Sequence, residues 1–184
     1  MVTTAGGEDM QNKHIARCAL FSALMCLCAW ISLPLGDSPI TLQTFALFLT
    51  LELLGGKYGS LVCLIYLLLG SVGLPVFSGF RGGFGMLLGG TGGYLWGFLA
   101  CALLYWLVTA VFGKKFRILA CLGGLLLCYT LGTLWFYEMY LHDGNAVGIG
   151  FVLLKCVVPF ILPDLVKLFL ALALAKKLKR FTAA

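Results

Sequence analysis

Near the end of this chain, Pro163-Asp164-Leu165-Val166-Lys167 sets a carboxylate and an ammonium inside an apolar stretch running from Val147 to Leu178. Each ionised group placed in a bilayer costs a few kcal/mol or more, so a charge retained there points to a site that handles something polar. An ammonium only donates hydrogen bonds and an ionised carboxylate only accepts them. Together they can serve a ligand carrying both N–H and C=O groups. Three residues apart, Asp164 and Lys167 share one face of a helix, and an acid at the start of a helix is favoured by the helix dipole. Mutual neutralisation for membrane insertion would account for the pair alone.

It does not account for Arg81. This guanidinium stands in a glycine-dense loop, Gly79-Phe80-Arg81-Gly82-Gly83-Phe84-Gly85, followed by Gly89-Gly90-Thr91-Gly92-Gly93. Glycine allows backbone conformations closed to other residues and lets the chain approach a ligand closely. The run is either a flexible turn or a lid carrying a guanidinium, the group best shaped for bidentate carboxylate binding. It is not a nucleotide loop, since it lacks a Gly-Lys-Ser/Thr ending. Gln43 and Thr44 enter the next helix from the opposite outer loop, and Trp30 and Tyr66 are placed to line an outer pocket.

The elements that must position these groups are membrane helices. The chain has 184 residues, 61% hydrophobic and 11% charged, with a mean hydropathy of +1.04. Apolar runs in lipid must satisfy their backbone groups internally and therefore form helices. Ile15 to Leu35 is the first, preceded by a polar N-terminal tail over residues 1–14 and read as a retained helix rather than a cleaved leader. Ile40–Leu54 and Tyr58–Gly70, separated by Gly55-Gly56-Lys57, are short for a span and read as two tilted helices or a re-entrant pair. Tyr94–Phe112 and Phe116–Tyr140 are clear spans. Pro159 and Pro163 interrupt the last apolar stretch, so the final helix is expected from near Pro163 to Lys179, with Phe151–Phe160 as an irregular approach. The reading is an all-α membrane protein with six transmembrane helices over residues 15–180.

Six spans put both termini on one side. Lys13, Arg17, Lys57, Lys114, Lys115, Arg117, Lys176, Lys177, Lys179 and Arg180 then share that side, ten of the 13 basic residues. The positive-inside rule makes it cytoplasmic. Arg81, Lys155 and Lys167 fall toward the outer half, where an anionic molecule arriving from outside would meet them. Asp164 is read as the one intramembrane carboxylate. The eight cysteines lie in apolar runs without Cys-x-x-Cys spacing or neighbouring histidines, as small helix residues rather than metal ligands. Most tyrosines and tryptophans sit near span ends, as in an interfacial belt. Ala16, Ala19 and Ala23 form a small-residue stripe on the first helix, suited to close helix packing within the chain or to docking a membrane partner.

Six ordered blocks resemble one family: Ala19-Leu-Phe-Ser-Ala-Leu-Met, Pro39-Ile-Thr-Leu-Gln-Thr, Tyr66-Leu-Leu-Leu-Gly-Ser-Val-Gly-Leu-Pro-Val-Phe, Arg81-Gly-Gly-Phe-Gly, Gly90-Thr-Gly-Gly-Tyr and Leu162-Pro-Asp-Leu-Val-Lys. They are similar to the BioY family, the biotin-specific S components of energy-coupling factor (ECF) transporters. The resemblance runs from Ile15 to Leu178, with residues 145–160 unaligned. It implies a six-helix, ECF S-component-like bundle that binds biotin from outside, with Arg81, Asp164 and Lys167 at the polar ligand positions and Gln43 and Tyr66 beside them. It also implies that Ala19 and Ala23 face a transmembrane coupling subunit, and that two cytosolic ATPases use ATP while this chain binds no cofactor. The chemistry of biotin fits the residues. A cation takes its carboxylate, Asp164 accepts from the ureido N–H groups, and Lys167 donates to the ureido carbonyl. Arg81 is assigned the carboxylate, with the reverse orientation left open.

No Gly-x-x-x-x-Gly-Lys-Ser/Thr is present, so ATP-driven uptake would need another subunit. The alternative is a stand-alone facilitator or proton-coupled carrier of a small organic acid or another vitamin, although no inverted repeat is evident. An enzyme would need a nucleophile–base pair or metal cluster that the sequence does not offer, so no catalytic residue is assigned. Nucleic acid is not an expected partner; the lipid bilayer is.

Overall fold

The computed structural model describes residues 5–33, 39–142 and 148–182. The elements are α1 (Ala5–Trp30), β1 (Ser32–Leu33), β2 (Ile40–Thr41), α2 (Gln43–Ser71), α3 (Phe84–Leu88), α4 (Gly92–Val111), α5 (Arg117–His142), α6 (Ile149–Cys156) and α7 (Val158–Thr182), with a single 3-10 turn at Lys114–Phe116. Among the described residues, five helices are long and apolar enough to cross a membrane, judged by length and composition. α1 begins ten residues before the expected Ile15, carrying helix into the polar stretch, and stops at Trp30 rather than Leu35.

One of the five long helices, α2, is folded in two. Gly55 lies at φ 78° and ψ 174°, a conformation closed to other residues and incompatible with a continuing helix. The Gln43 side-chain amide donates to the Tyr66 hydroxyl at 2.6 Å. Twenty-three residues of unbroken helix would hold those positions about 35 Å apart. The two limbs, 43–54 and 56–71, therefore run antiparallel, and the bundle has six apolar limbs. The two short apolar runs of the sequence are these limbs. Together they occupy the centre, packing against α1, α4 and α7.

α4 and α5 form the tightest pair, because small residues face each other along it. A Cβ placed on Gly93 would run into Trp135, one on Gly97 into Cys128, and one on Gly124 into Cys101. Without a hydrophobic drive between helices in lipid, such close backbone approach is what holds them. It also explains the cysteines: Cys101, Cys121 and Cys128 are buried free thiols filling narrow spaces where a larger side chain would push the helices apart.

The approach to the last helix differs from expectation. Residues 149–156 form α6, and α7 begins at Val158, five residues before Pro163. Pro159 falls in the first turn, where its missing N–H has no intrahelical partner to lose. Pro163 forfeits one helical hydrogen bond, a local cost that the surrounding apolar run tolerates. Asp164 is thus not at a helix start, and the dipole argument for its charge does not hold.

The opposite end of the bundle holds a second buried carboxylate, Glu52, which the sequence reading passed over. It accepts from the Tyr105 hydroxyl at 3.3 Å. Arg117 and Lys179 stand 3.6 Å away. This cluster ties the turn of α2 to α4, α5 and α7 at the end where the basic residues gather.

Candidate functional site

Asp164 is 2% exposed and Lys167 7%. The pair survives burial because the carboxylate is almost fully used. Its Oδ1 accepts from Lys167 Nζ at 2.7 Å and from the Thr44 hydroxyl at 2.8 Å. Its Oδ2 accepts from the Tyr129 hydroxyl at 2.6 Å. A carboxylate has about four acceptor positions. One remains on Oδ2 for a further N–H donor, and Lys167 keeps two protons beyond the one given to Asp164. The fixed charges cancel, leaving a polar floor without net charge.

That floor belongs to a cavity of about 300 Å³ between the helices, at the end of the bundle remote from Glu52. Its wall includes Thr41, Gln43 and Thr44 from the β2–α2 junction, Phe77 and Arg81 from the loop after α2, Tyr94 and Phe98 of α4, Cys128 and Tyr129 of α5, and Phe160, Asp164 and Lys167. The volume lies at the small end of the range for ligand sites, about 300–1,000 Å³, and apolar walls with a few convergent polar groups are usual there.

Local sequence delivers each group. Ser32 pairs with Thr41 and Leu33 with Ile40, so the short ribbon steers the chain into α2 with Gln43 and Thr44 in its first turn. Arg81 arrives through a tight reversal in which the Phe77 N–H donates to the Arg81 carbonyl at 2.9 Å. Gly79 and Phe80 take positive φ of 71° and 56°, unusual for phenylalanine. The Phe80 ring stacks on Trp30 with centroids 4.9 Å apart, and the Trp30 indole N–H donates to the Pro75 carbonyl at 2.8 Å. The Gly83 N–H donates to the Gly70 carbonyl at 2.7 Å. The glycine-dense loop is therefore pinned at several points rather than loosely hinged, and it carries an exposed guanidinium to the cavity mouth.

Four of the residues singled out in the sequence, Gln43, Arg81, Asp164 and Lys167, line this one cavity. Tyr66 does not. It is 1% exposed behind the wall, bonded to Gln43. Trp30 also stays out of the lining and clamps the loop instead. Lys155 is exposed on α6, its ammonium 4.8 Å from the centre of the Phe151 ring. Ala16, Ala19 and Ala23 are exposed along α1, while Cys18, Ser22 and Met25 face the core. Two partners of Asp164 were missed as site residues. Thr44 was noted only as Gln43's neighbour. Tyr129 was overlooked, although a tyrosine in the middle of a span, far from the interfacial belt, signals a hydroxyl with an internal partner.

The BioY family model matches residues 3–184. The chain belongs to the BioY family. Among relatives, the biotin transporter BioY of Thermotoga maritima is 41% identical over 173 residues, covering 91% of this chain and 96% of its own. The biotin transporter BioY of Rhodobacter capsulatus is 32% identical over 184 residues, covering 92% and 95%. Among solved structures, the S component for biotin from an ECF-type ABC transporter superposes with a TM-score of 0.79 at 24% identity, over 94% of this chain and 93% of the other. At that identity the likeness establishes the shared fold. BioY family members are transporters rather than enzymes, and this chain is a multi-pass membrane protein of that class.

Proposed function

We propose that this chain is the biotin-binding S component of an ATP-driven ECF importer, capturing biotin at the outer face with both termini in the cytoplasm. The observation that carries the reading is the convergence of Arg81, Gln43, Asp164 and Lys167 on one small cavity in a BioY-family chain. Electrostatics favours one orientation. The Asp164–Lys167 floor is neutral overall, whereas Arg81 at the mouth has no ion-pair partner among the described residues. A ligand carboxylate therefore gains most beside Arg81 and avoids full dehydration there. The uncharged ureido ring goes to the floor, with an N–H donating to the free position on Asp164 Oδ2 and the carbonyl accepting from Lys167.

Energy for uptake comes, in this reading, from two cytosolic ATPases joined through a transmembrane coupling subunit that docks on the Ala19–Ala23 face. This chain itself binds no cofactor. The exposed alanines support the docking role, since small side chains admit another helix closely. Isothermal titration of the detergent-solubilised protein tests the ligand. Biotin should bind with 1:1 stoichiometry, and thiamine and riboflavin should not. Equal heats from all three, or none from biotin, would overturn the assignment.

A further inference from the structure

Behind the cavity wall, one hydroxyl joins its two sides. The Tyr66 hydroxyl accepts from the Gln43 amide at 2.6 Å and donates to the Val76 carbonyl at 3.2 Å. Gln43 in turn accepts from the Thr41 hydroxyl at 2.9 Å. The Tyr66 ring meets Phe77 edge-on, with centroids 5.4 Å apart. Phe77 lies against Gly70 so closely that a Cβ there would collide with its ring. Phe77 is also the residue whose N–H holds the Arg81 carbonyl. A continuous set of contacts thus runs from Thr41 and Gln43, through Tyr66, to the loop that presents Arg81.

No other hydroxyl among the described residues holds Val76, and in a dry interior the loss of one member leaves both neighbours unsatisfied. Arg81 sits five residues beyond Val76 on a loop whose backbone includes the unusual Phe80 conformation. Such a conformation persists only where its surroundings over-determine it. Its anchors are the Trp30–Pro75 and Tyr66–Val76 bonds before it and the Gly83–Gly70 bond after it.

We propose that Tyr66 is a positioning residue. It never touches the ligand, but it fixes where the Arg81 guanidinium stands over the cavity, and so sets the preference of the site for a carboxylate over a neutral end group. This rests on the biotin reading above, with the carboxylate at Arg81. The hydroxyl acts on one end of the ligand only, because the Asp164–Lys167 floor is assembled from Thr44, Tyr129 and α7 without it.

The test compares biotin with biotinamide, which keeps the ring system and tail but lacks the charge. Dissociation constants for both are measured on purified wild type, Tyr66→Phe, Arg81→Ala and the double variant. Wild type should prefer biotin clearly. Tyr66→Phe should cut that preference severalfold, chiefly through weaker biotin binding, with biotinamide little changed. In the Arg81→Ala background the Tyr66 substitution should leave the ratio unaltered. Placing 4-aminophenylalanine at position 66 restores a donor toward Val76 and should recover part of the preference. Gly82→Ala supplies a second arm, because a Cβ there collides with the Leu74 carbonyl and displaces the same loop from its other side. Carboxylate preference should fall there too.

Equal weakening of both ligands by Tyr66→Phe would mean a general structural role and overturn the proposal. So would an unchanged ratio in either Tyr66→Phe or Gly82→Ala. A wild type that binds neither ligand, or both equally, would instead reject biotin or the placement of its carboxylate at Arg81, a distinguishable failure.

Discussion

Replacing Lys167 by methionine separates what the buried pair does for stability from what it does for binding. In the wild type, the Asp164 carboxylate is 2% exposed and takes three hydrogen bonds, one of them from an ammonium at 2.7 Å. Lys167→Met removes the cation bonded to Asp164 and leaves a dehydrated negative charge on two neutral hydroxyls. Breaking a buried pair in this way costs about 3–5 kcal/mol. For a chain of this size that corresponds to a fall in Tm of roughly 6–20 °C. The double variant Asp164→Asn, Lys167→Met removes both charges, while the asparagine carbonyl can still accept from Thr44 and Tyr129. Neutral replacements of buried pairs are often tolerated, so most of the lost stability should return, yet biotin binding should not. The assay is thermal unfolding in detergent, followed by tryptophan fluorescence, beside titration of biotin on the same preparations. A Lys167→Met protein as stable as wild type would refute the reasoning that the pair is a dehydrated charge couple. A double variant that still binds biotin tightly would refute the pair's place in the site.

Three further outcomes follow from the same geometry. Arg81→Ala should weaken biotin by about 2 kcal/mol, the low end for a charge contact because Arg81 keeps water at the mouth; that is roughly thirtyfold in Kd, read by titration. Ala23→Trp on the exposed α1 face should leave biotin binding in detergent unchanged and abolish uptake in cells supplying the ECF module. Glu52→Gln should lower thermal stability without altering biotin affinity, by about 1–3 kcal/mol, as a hydrogen-bonded charge tying four helices is lost at the end remote from the cavity.

Much of this was legible from the chain alone, for identifiable reasons. Long apolar runs in lipid have one backbone solution, so the helices over residues 92–111 and 117–142 coincide closely with the sequence reading. Charges in apolar surroundings are costly, and of those retained Asp164 and Lys167 line the cavity, whereas Glu52 and Lys155 do not. What stayed hidden depends on partners distant in sequence. Glu52 looks like one acid in a short helix until Tyr105, Arg117 and Lys179 close around it. Tyr129 looks like filler until Asp164 is found 35 residues later at hydrogen-bond distance. The helical path through Pro159 and Pro163 misled because proline rules are local, and one lost hydrogen bond is small beside the burial of a whole helix face. Tyr66 was placed in the right neighbourhood but on the wrong side of the wall, since spacing alone does not say which limb of a folded helix looks into a cavity.

The most direct measurement is a structure of the purified protein with biotin bound. The account predicts one molecule in the cavity, its carboxylate against the Arg81 guanidinium, with a ureido N–H within hydrogen-bond distance of Asp164 Oδ2 and the ureido oxygen within reach of Lys167 Nζ. Biotin seated elsewhere, or with its carboxylate remote from Arg81, would contradict it.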